Sequence, residues 1–166
     1  MADVKALYDE DFVAWSEQQA EALRAAARGG SNHQLDWENL AEEIESLGKS
    51  DRRELASRLA VIVEHLIKLD HSPARYPRKR WRQTILRERG EIERILDDSP
   101  SLRREVPKLI RNEAKRAAEI ALGELDIRRE LGQGLRETLK RKNSLELFSY
   151  TPDQILGDWF PPEPKG

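Results

Sequence analysis

Cysteine is absent from this sequence of 166 residues, so disulfides, thiolate metal sites and a cysteine nucleophile are excluded, and the redox compartment stays undetermined. Long apolar runs are missing too. No stretch approaches the roughly 18 consecutive apolar residues that a membrane span needs, and the segment from Met1 to Asp11 has no apolar h-region, so a soluble cytoplasmic protein without membrane contact is expected. Neither sign of charge dominates. With 29 basic and 31 acidic residues the formal net charge is −2, which gives no global steering toward nucleic acid and leaves any such contact to a local patch. There is no glycine-rich phosphate loop, dinucleotide fingerprint, Gly-x-Ser-x-Gly elbow or His-Glu-x-x-His pair. The two Glu-x-x-His motifs of a di-iron bundle are also missing. No cofactor is expected, and an enzymatic assignment is left open. Charge itself is abundant, 36% of residues against 38% hydrophobic, so the chain can fold only by gathering its apolar residues into stripes.

It does so with helical spacing throughout. Tyr8, Phe12 and Trp15, followed by Ala22 and Leu23, predict a helix from about Asp9 to Arg28, ended by Gly29-Gly30-Ser31-Asn32. Asp36 is a suitable N-cap for a second helix with Leu40, Ile44 and Leu47 on its inward face. Two readings stay open at Gly48, a break or kink and an unbroken helix. Leu55, Leu59, Ile62, Leu66 and Leu69 continue the apolar phase to Asp70 and, with Ala56, Val63 and Ile67, define a core helix. Pro73 and Pro77 make 71–77 a connector, after which Trp81, Ile85, Ile92 and Ile95 mark a helix from about Arg80 to Asp98. Ser99 and Pro100 read as an N-cap and a first helical position. The helix they open is expected to run through Leu122 with a kink at Pro107. A charged, exposed helix is expected over 126–143. Thr151-Pro152-Asp153-Gln154 resembles a capping box, leading to Trp159 and Phe160, which should pin a tail whose end, Pro162 to Gly166, is frayed. The fold class is therefore all-α, a single domain of about five to six helices around one long central helix. Within it, 8–122 forms the core, 124–143 a charged extension, and 151–166 a C-terminal turn and tail.

Candidate site residues fall into three groups. Glu54, Arg58 and His65 share a boundary strip beside the apolar arc, read either as a structural ion pair with a histidine bonded to a neighbouring helix, or as an interhelical pocket with His65 as acid, base or ligand-orienting group. Lys68 and Glu64 fall on the opposite, solvated side. Glu42 and Glu43 are candidate carboxylates, although consecutive helical residues diverge by about 100°. The segment Arg75, Arg78, Lys79, Arg80 and Arg82, continued by Arg87 and Arg89 and interleaved with Tyr76 and Trp81, could contact phosphates and stack on a base. It could equally pair with the acidic helix from Asp36 to Glu45. No metal site is expected, since His65 and His71 are six residues apart and point about 120° from each other, and His33 lies in a separate loop.

Taken in order, Tyr8-Asp-Glu-Asp-Phe-Val-Ala-Trp15 with Gln19, Asp36-Trp-Glu-Asn-Leu-Ala-Glu-Glu-Ile-Glu-Ser-Leu-Gly48, Arg58-Leu59 with His65 to Lys68, Trp81 to Ile85 with Arg89, and Ser99 to Leu102 form a specific constellation. It resembles the bacterial family known as domain of unknown function 29, over most of 8–122. The resemblance implies an all-helical domain and brings no reaction, cofactor or catalytic residue with it. The tail departs from the family pattern: 124–143 inserts a charged helix, and Ser149-Tyr150 stands where the family has a Cys-Pro-Tyr. Without a complete catalytic set, the leading expectation is a non-enzymatic protein that binds a protein partner or itself. A site centred on His65 and nucleic-acid binding through Arg75 to Arg89 are the alternatives.

Overall fold

The computed structural model describes residues 4–30, 35–139 and 148–163. His33, the end of the charged extension at 140–143 and the last residues of the tail lie outside them. Seven α-helices occur among the described residues: α1 Val4–Glu10, α2 Phe12–Arg28, α3 Trp37–His71, α4 Arg78–Asp98, α5 Val106–Ile127, α6 Gln133–Leu139 and α7 Pro152–Leu156, with a 3-10 helix at Pro100–Arg104 and no strand. The all-α class and the long central helix are as expected. The chain divides into two compact units, residues 1–55 with 93–105 and residues 56–92 with 106–166.

In the first unit, the helix expected from Asp9 is broken at Asp11. Its extended backbone (φ −157°) and a side chain that accepts the Ala14 N–H make it the N-cap of α2. The same carboxylate accepts the Ser101 N–H at 2.6 Å and the Ser101 hydroxyl at 2.9 Å, so one residue starts α2 and anchors the 3-10 helix. Ser99 makes no side-chain capping bond; its Oγ accepts the Val13 N–H at 3.3 Å instead. Because α5 starts only at Val106, Pro107 falls in a first turn, where its missing N–H is harmless, and the expected kink does not arise. Gly30, at φ +72°, takes the left-handed conformation that ends α2.

Helix α3 continues through Gly48 without interruption. Glycine is required there by packing: a Cβ at this position would lie 2.4 Å from Ser16 Oγ on α2. The face turned inward is consequently Ala41, Gly48 and Leu55, all buried. Leu40 and Leu47, expected inside, are 41% and 43% exposed. Arg52 ties the unit together, gripping Glu105 with two bonds of 2.6 and 2.8 Å and reaching Glu17 at 3.0 Å.

The second unit holds the larger core. Leu59, Ile62, Leu66, Ile67 and Leu69 of α3 are fully buried, as are Ile85 of α4, Leu125 of α5 and Ile155 of α7. Trp81 is also inside. The charged extension is not one helix. Helix α5 closes after Ile127 with Arg129 at φ 59° and the Glu130 N–H bonded to the Leu125 carbonyl at 2.8 Å, a Schellman-type end with arginine where glycine is usual. The capping box at α7 forms as expected, Gln154 N–H to Thr151 Oγ1 at 3.2 Å and Thr151 N–H to Gln154 Oε1 at 2.9 Å.

Candidate functional site

Arg58 and His65 are drawn to different neighbours. Arg58 donates to the Glu88 carboxylate of α4 at 2.8 Å, and Arg87 approaches the other oxygen of that buried group. His65 was expected to bond a neighbouring helix; its Nδ1 instead donates to the Val61 carbonyl one turn back in α3 at 2.8 Å. Burial pushes the imidazole below its ordinary value and Lys68 adds to this, against the opposing influence of the Val61 carbonyl, Glu64 and Glu124. Glu54, which belongs to the first unit, is exposed. Its negative charge acts on Asp51, whose carboxyl is raised by burial and then by Glu54 and Asp98.

The polar set that the second unit does assemble around His65 is centred on Lys68. Expected in solvent, this lysine is buried, with a side chain only 4% exposed. It donates to Glu64 at 2.6 Å and pairs with Glu124 of α5, which Arg128 also reaches at 2.9 Å. Burial alone would raise the Glu124 carboxyl, but the Lys68 hydrogen bond and the charges of Lys68 and Arg128 hold it below the ordinary carboxylate value. A lysine flanked by two carboxylates is a closed ion network, and the neighbouring histidine has its Nδ1 proton committed to a backbone carbonyl.

His71 packs edge-on against Phe148 at 5.0 Å, and burial lowers its pKa against the pull of Asp70. Tyr150 donates to the same Asp70 at 3.3 Å, and its phenol is raised by burial and then by that carboxylate. Among the described residues no three His, Asp or Glu converge as metal ligands.

The basic segment divides by depth. Arg75, Lys79 and Arg80 are exposed around Tyr76, itself 99% exposed. Arg78 is buried and donates to the Leu69 and Ser72 carbonyls at 2.8 and 3.3 Å. Arg89 donates to the carbonyls of Ile155, Gln154 and Trp159 at 2.8, 2.9 and 2.7 Å; the first two are carbonyls at the end of α7 that lack helical partners, and the third belongs to the segment after it. The acidic helix finds its cation in α2, where Arg24 reaches Glu45 at 2.7 Å and Glu38 at 3.6 Å. Glu42 and Glu43 are both exposed and diverge around the helix. Sequence reasoning missed Lys68, Glu88 and Glu124. Periodicity placed them among charged faces, and only the approach of a second helix reveals a charge as buried.

No curated protein matches the sequence. Among solved structures, an alpha-helical protein of unknown function from Rhodospirillum rubrum ATCC 11170, a crystal structure at 1.45 Å resolution, superimposes with a TM-score of 0.69 at 27% sequence identity, over 91% of this chain and 89% of that one. The family described as Domain of unknown function DUF29 matches residues 7–160 and therefore includes the tail through α7 as well as the helical core. With most of its length inside that match, the chain belongs to the DUF29 family.

Proposed function

We propose that the chain is a non-enzymatic interaction protein of the bacterial cytoplasm, acting as one domain. Its contact surface would be the apolar flank of α3 and its partner a cationic amphipathic segment of another protein. The observation that carries this reading is the exposure of Leu40 and Leu47, 41% and 43%, beside the half-buried Ile44. The three stand at i, i+4 and i+7, the spacing by which one helix lays an apolar face against another. At about 100° per residue, Asp51, Glu54 and Glu43 fall within roughly 60° of this stripe, so carboxylates rim it. The Asp51 carboxyl is raised first by burial and then by the charges of Glu54 and Asp98, and a helix bearing Lys or Arg beside its apolar face would offset those charges. The continuity of α3 and α4 through both compact units supports a single working domain. The bacterial setting follows the source of the structural relative, and the cytoplasmic one the charge-rich composition.

Fluorescence anisotropy with a labelled Lys/Leu amphipathic peptide tests the reading. The wild-type protein should bind it and ignore a Glu/Leu peptide of the same pattern. The pair Leu40→Glu and Leu47→Glu should weaken binding by at least about tenfold, since central apolar anchors dominate such contacts. Equal binding of the cationic peptide by wild type and variant would refute the site.

The exposed Tyr76 among Arg75, Lys79 and Arg80 favours a second reading, weak contact with single-stranded nucleic acid. It requires an affinity whose salt dependence flattens when Arg75, Lys79 and Arg80 are replaced by alanine.

A further inference from the structure

Three arginines of α4, Arg78, Arg82 and Arg89, are spaced by four and seven residues, which at about 100° per residue puts them within roughly 40° of one another on a single face. The segment that follows α7 covers that face. Arg89 holds the Trp159 carbonyl of that segment and the Gln154 and Ile155 carbonyls of α7. The Phe160 ring lies 4.8 Å from the Arg89 guanidinium carbon and 5.4 Å from that of Arg82, and the Glu163 carboxylate stands 3.8 Å from Arg82.

The donors of this face outnumber its acceptors. Arg78 uses Nη1 on the Leu69 and Ser72 carbonyls, which leaves its Nε and Nη2 buried without an acceptor among the described residues; Arg82 Nε and Arg89 Nη1 are buried in the same condition. Arg78 and Arg89 are only 6% and 9% exposed. Among the described residues Glu163 is the one carboxylate within ion-pair distance of the three, and 3.8 Å is too long for a hydrogen bond. Buried guanidinium groups are costly unless an anion pairs with them and takes up their N–H groups. Burial depresses the Arg78 and Arg89 pKa values, against the opposing pull of Glu163 and Asp70 on Arg78 and of Asp158 on Arg89.

We propose that Arg78 and Arg82, one turn apart on the same face of α4, form a binding site for a phosphate-type oxyanion, entered past Arg82 at the edge of residues 155–163. One guanidinium fork satisfies the two oxygens of a carboxylate by itself, whereas leftover donors on two separate guanidinium groups suit the additional oxygens of a phosphate group. Arg82, with a side chain 39% exposed, gives access. Glu163, 74% exposed, acts as an internal competitor that lies over the site until the anion displaces it.

Isothermal titration at constant ionic strength, with inorganic phosphate, glycerol phosphate and acetate as probes, tests the site on the full chain. Arg78 and Arg89 are left intact because they also hold backbone carbonyls; the variants are Arg82→Gln, Glu163→Gln and Lys79→Gln. Wild type should bind phosphate saturably and acetate at least about tenfold more weakly, with a similar loss of phosphate affinity in Arg82→Gln from the missing charge-assisted bonds. Glu163→Gln should bind more tightly and Lys79→Gln nearly as wild type does. Tighter binding of glycerol phosphate than of inorganic phosphate assigns the site to a phosphomonoester, and the reverse order to the free ion. The proposal is overturned by an unsaturable wild-type titration, by an Arg82→Gln affinity within about twofold of wild type, or by an equal loss in Lys79→Gln, which would indicate diffuse surface attraction.

Discussion

Replacing Gly48 by alanine should destabilise the protein, although glycine inside a helix ordinarily costs about 1 kcal/mol relative to alanine. The new Cβ would sit 2.4 Å from Ser16 Oγ. That hydroxyl is fully buried and donates to the Val13 carbonyl at 2.8 Å. Relief by rotation breaks the bond and strands a buried hydroxyl, a cost of about 1–3 kcal/mol. Relief by separating α2 from α3 costs a similar amount, about 1–3 kcal/mol, as overpacking. Set against the propensity gain, the net loss for Gly48→Ala should be about 1 kcal/mol. In a Ser16→Ala background the obstructing oxygen is gone, and the same substitution should stabilise by up to about 1 kcal/mol. The double-mutant cycle should thus give a coupling of about 2 kcal/mol from urea denaturation followed by circular dichroism at 222 nm. If Gly48→Ala instead stabilises the wild type, with coupling below about 0.5 kcal/mol, the close approach of the two helices is wrong.

Lys68→Met should cost about 1–3 kcal/mol in the same assay, because it leaves Glu64 and Glu124 facing each other; their partial exposure, 18% and 34%, keeps the loss below that of a fully buried pair. An unchanged midpoint would show the network to be solvated. Stability should fall on acidification below the ordinary histidine value of 6.5, since His65 and His71 both have depressed pKa values in the fold and the unfolded chain takes up the extra protons in that window. Thermal melts across this range should show the slope, and it should shrink when both histidines are replaced by glutamine; an unaltered slope refutes the assignment. Arg129→Gly should raise stability by roughly 0.5 kcal/mol, the relief of a left-handed arginine less the added freedom of the unfolded glycine. A loss on thermal denaturation would contradict this.

The helical class, the core half of α3 from Leu55 to Leu69, α4, and the Thr151 capping box were legible because each rests on local spacing: apolar residues at three and four, a cap, or a proline at a first position; continuity through Gly48 was left open. The Asp11 break was not, since Asp11 is held by Ser101 from far along the chain. Nor was the face of α3 around Gly48. Leu40, Ile44 and Leu47 have the spacing of a core stripe, yet α2 packs so closely that only Ala41 and Gly48 fit beneath it, and the leucines turn outward. Charged residues were read as solvated by default. That fails for Lys68, Arg78, Glu88 and Arg89, whose burial depends on a partner element that no local pattern announces. The basic segment was legible as a composition, but which of its arginines serve the fold depends on where the C-terminal tail lies.

The proposed partner surface is tested most directly by following the amide spectrum of isotope-labelled protein as a Lys/Leu amphipathic peptide is added. Saturable shifts should concentrate on the amides of Leu40, Glu43, Ile44, Leu47 and Asp51, and should disappear in the Leu40→Glu, Leu47→Glu variant. Shifts centred on any other helix, or an undisturbed α3 at saturating peptide, would contradict the assignment of this flank as the site of interaction.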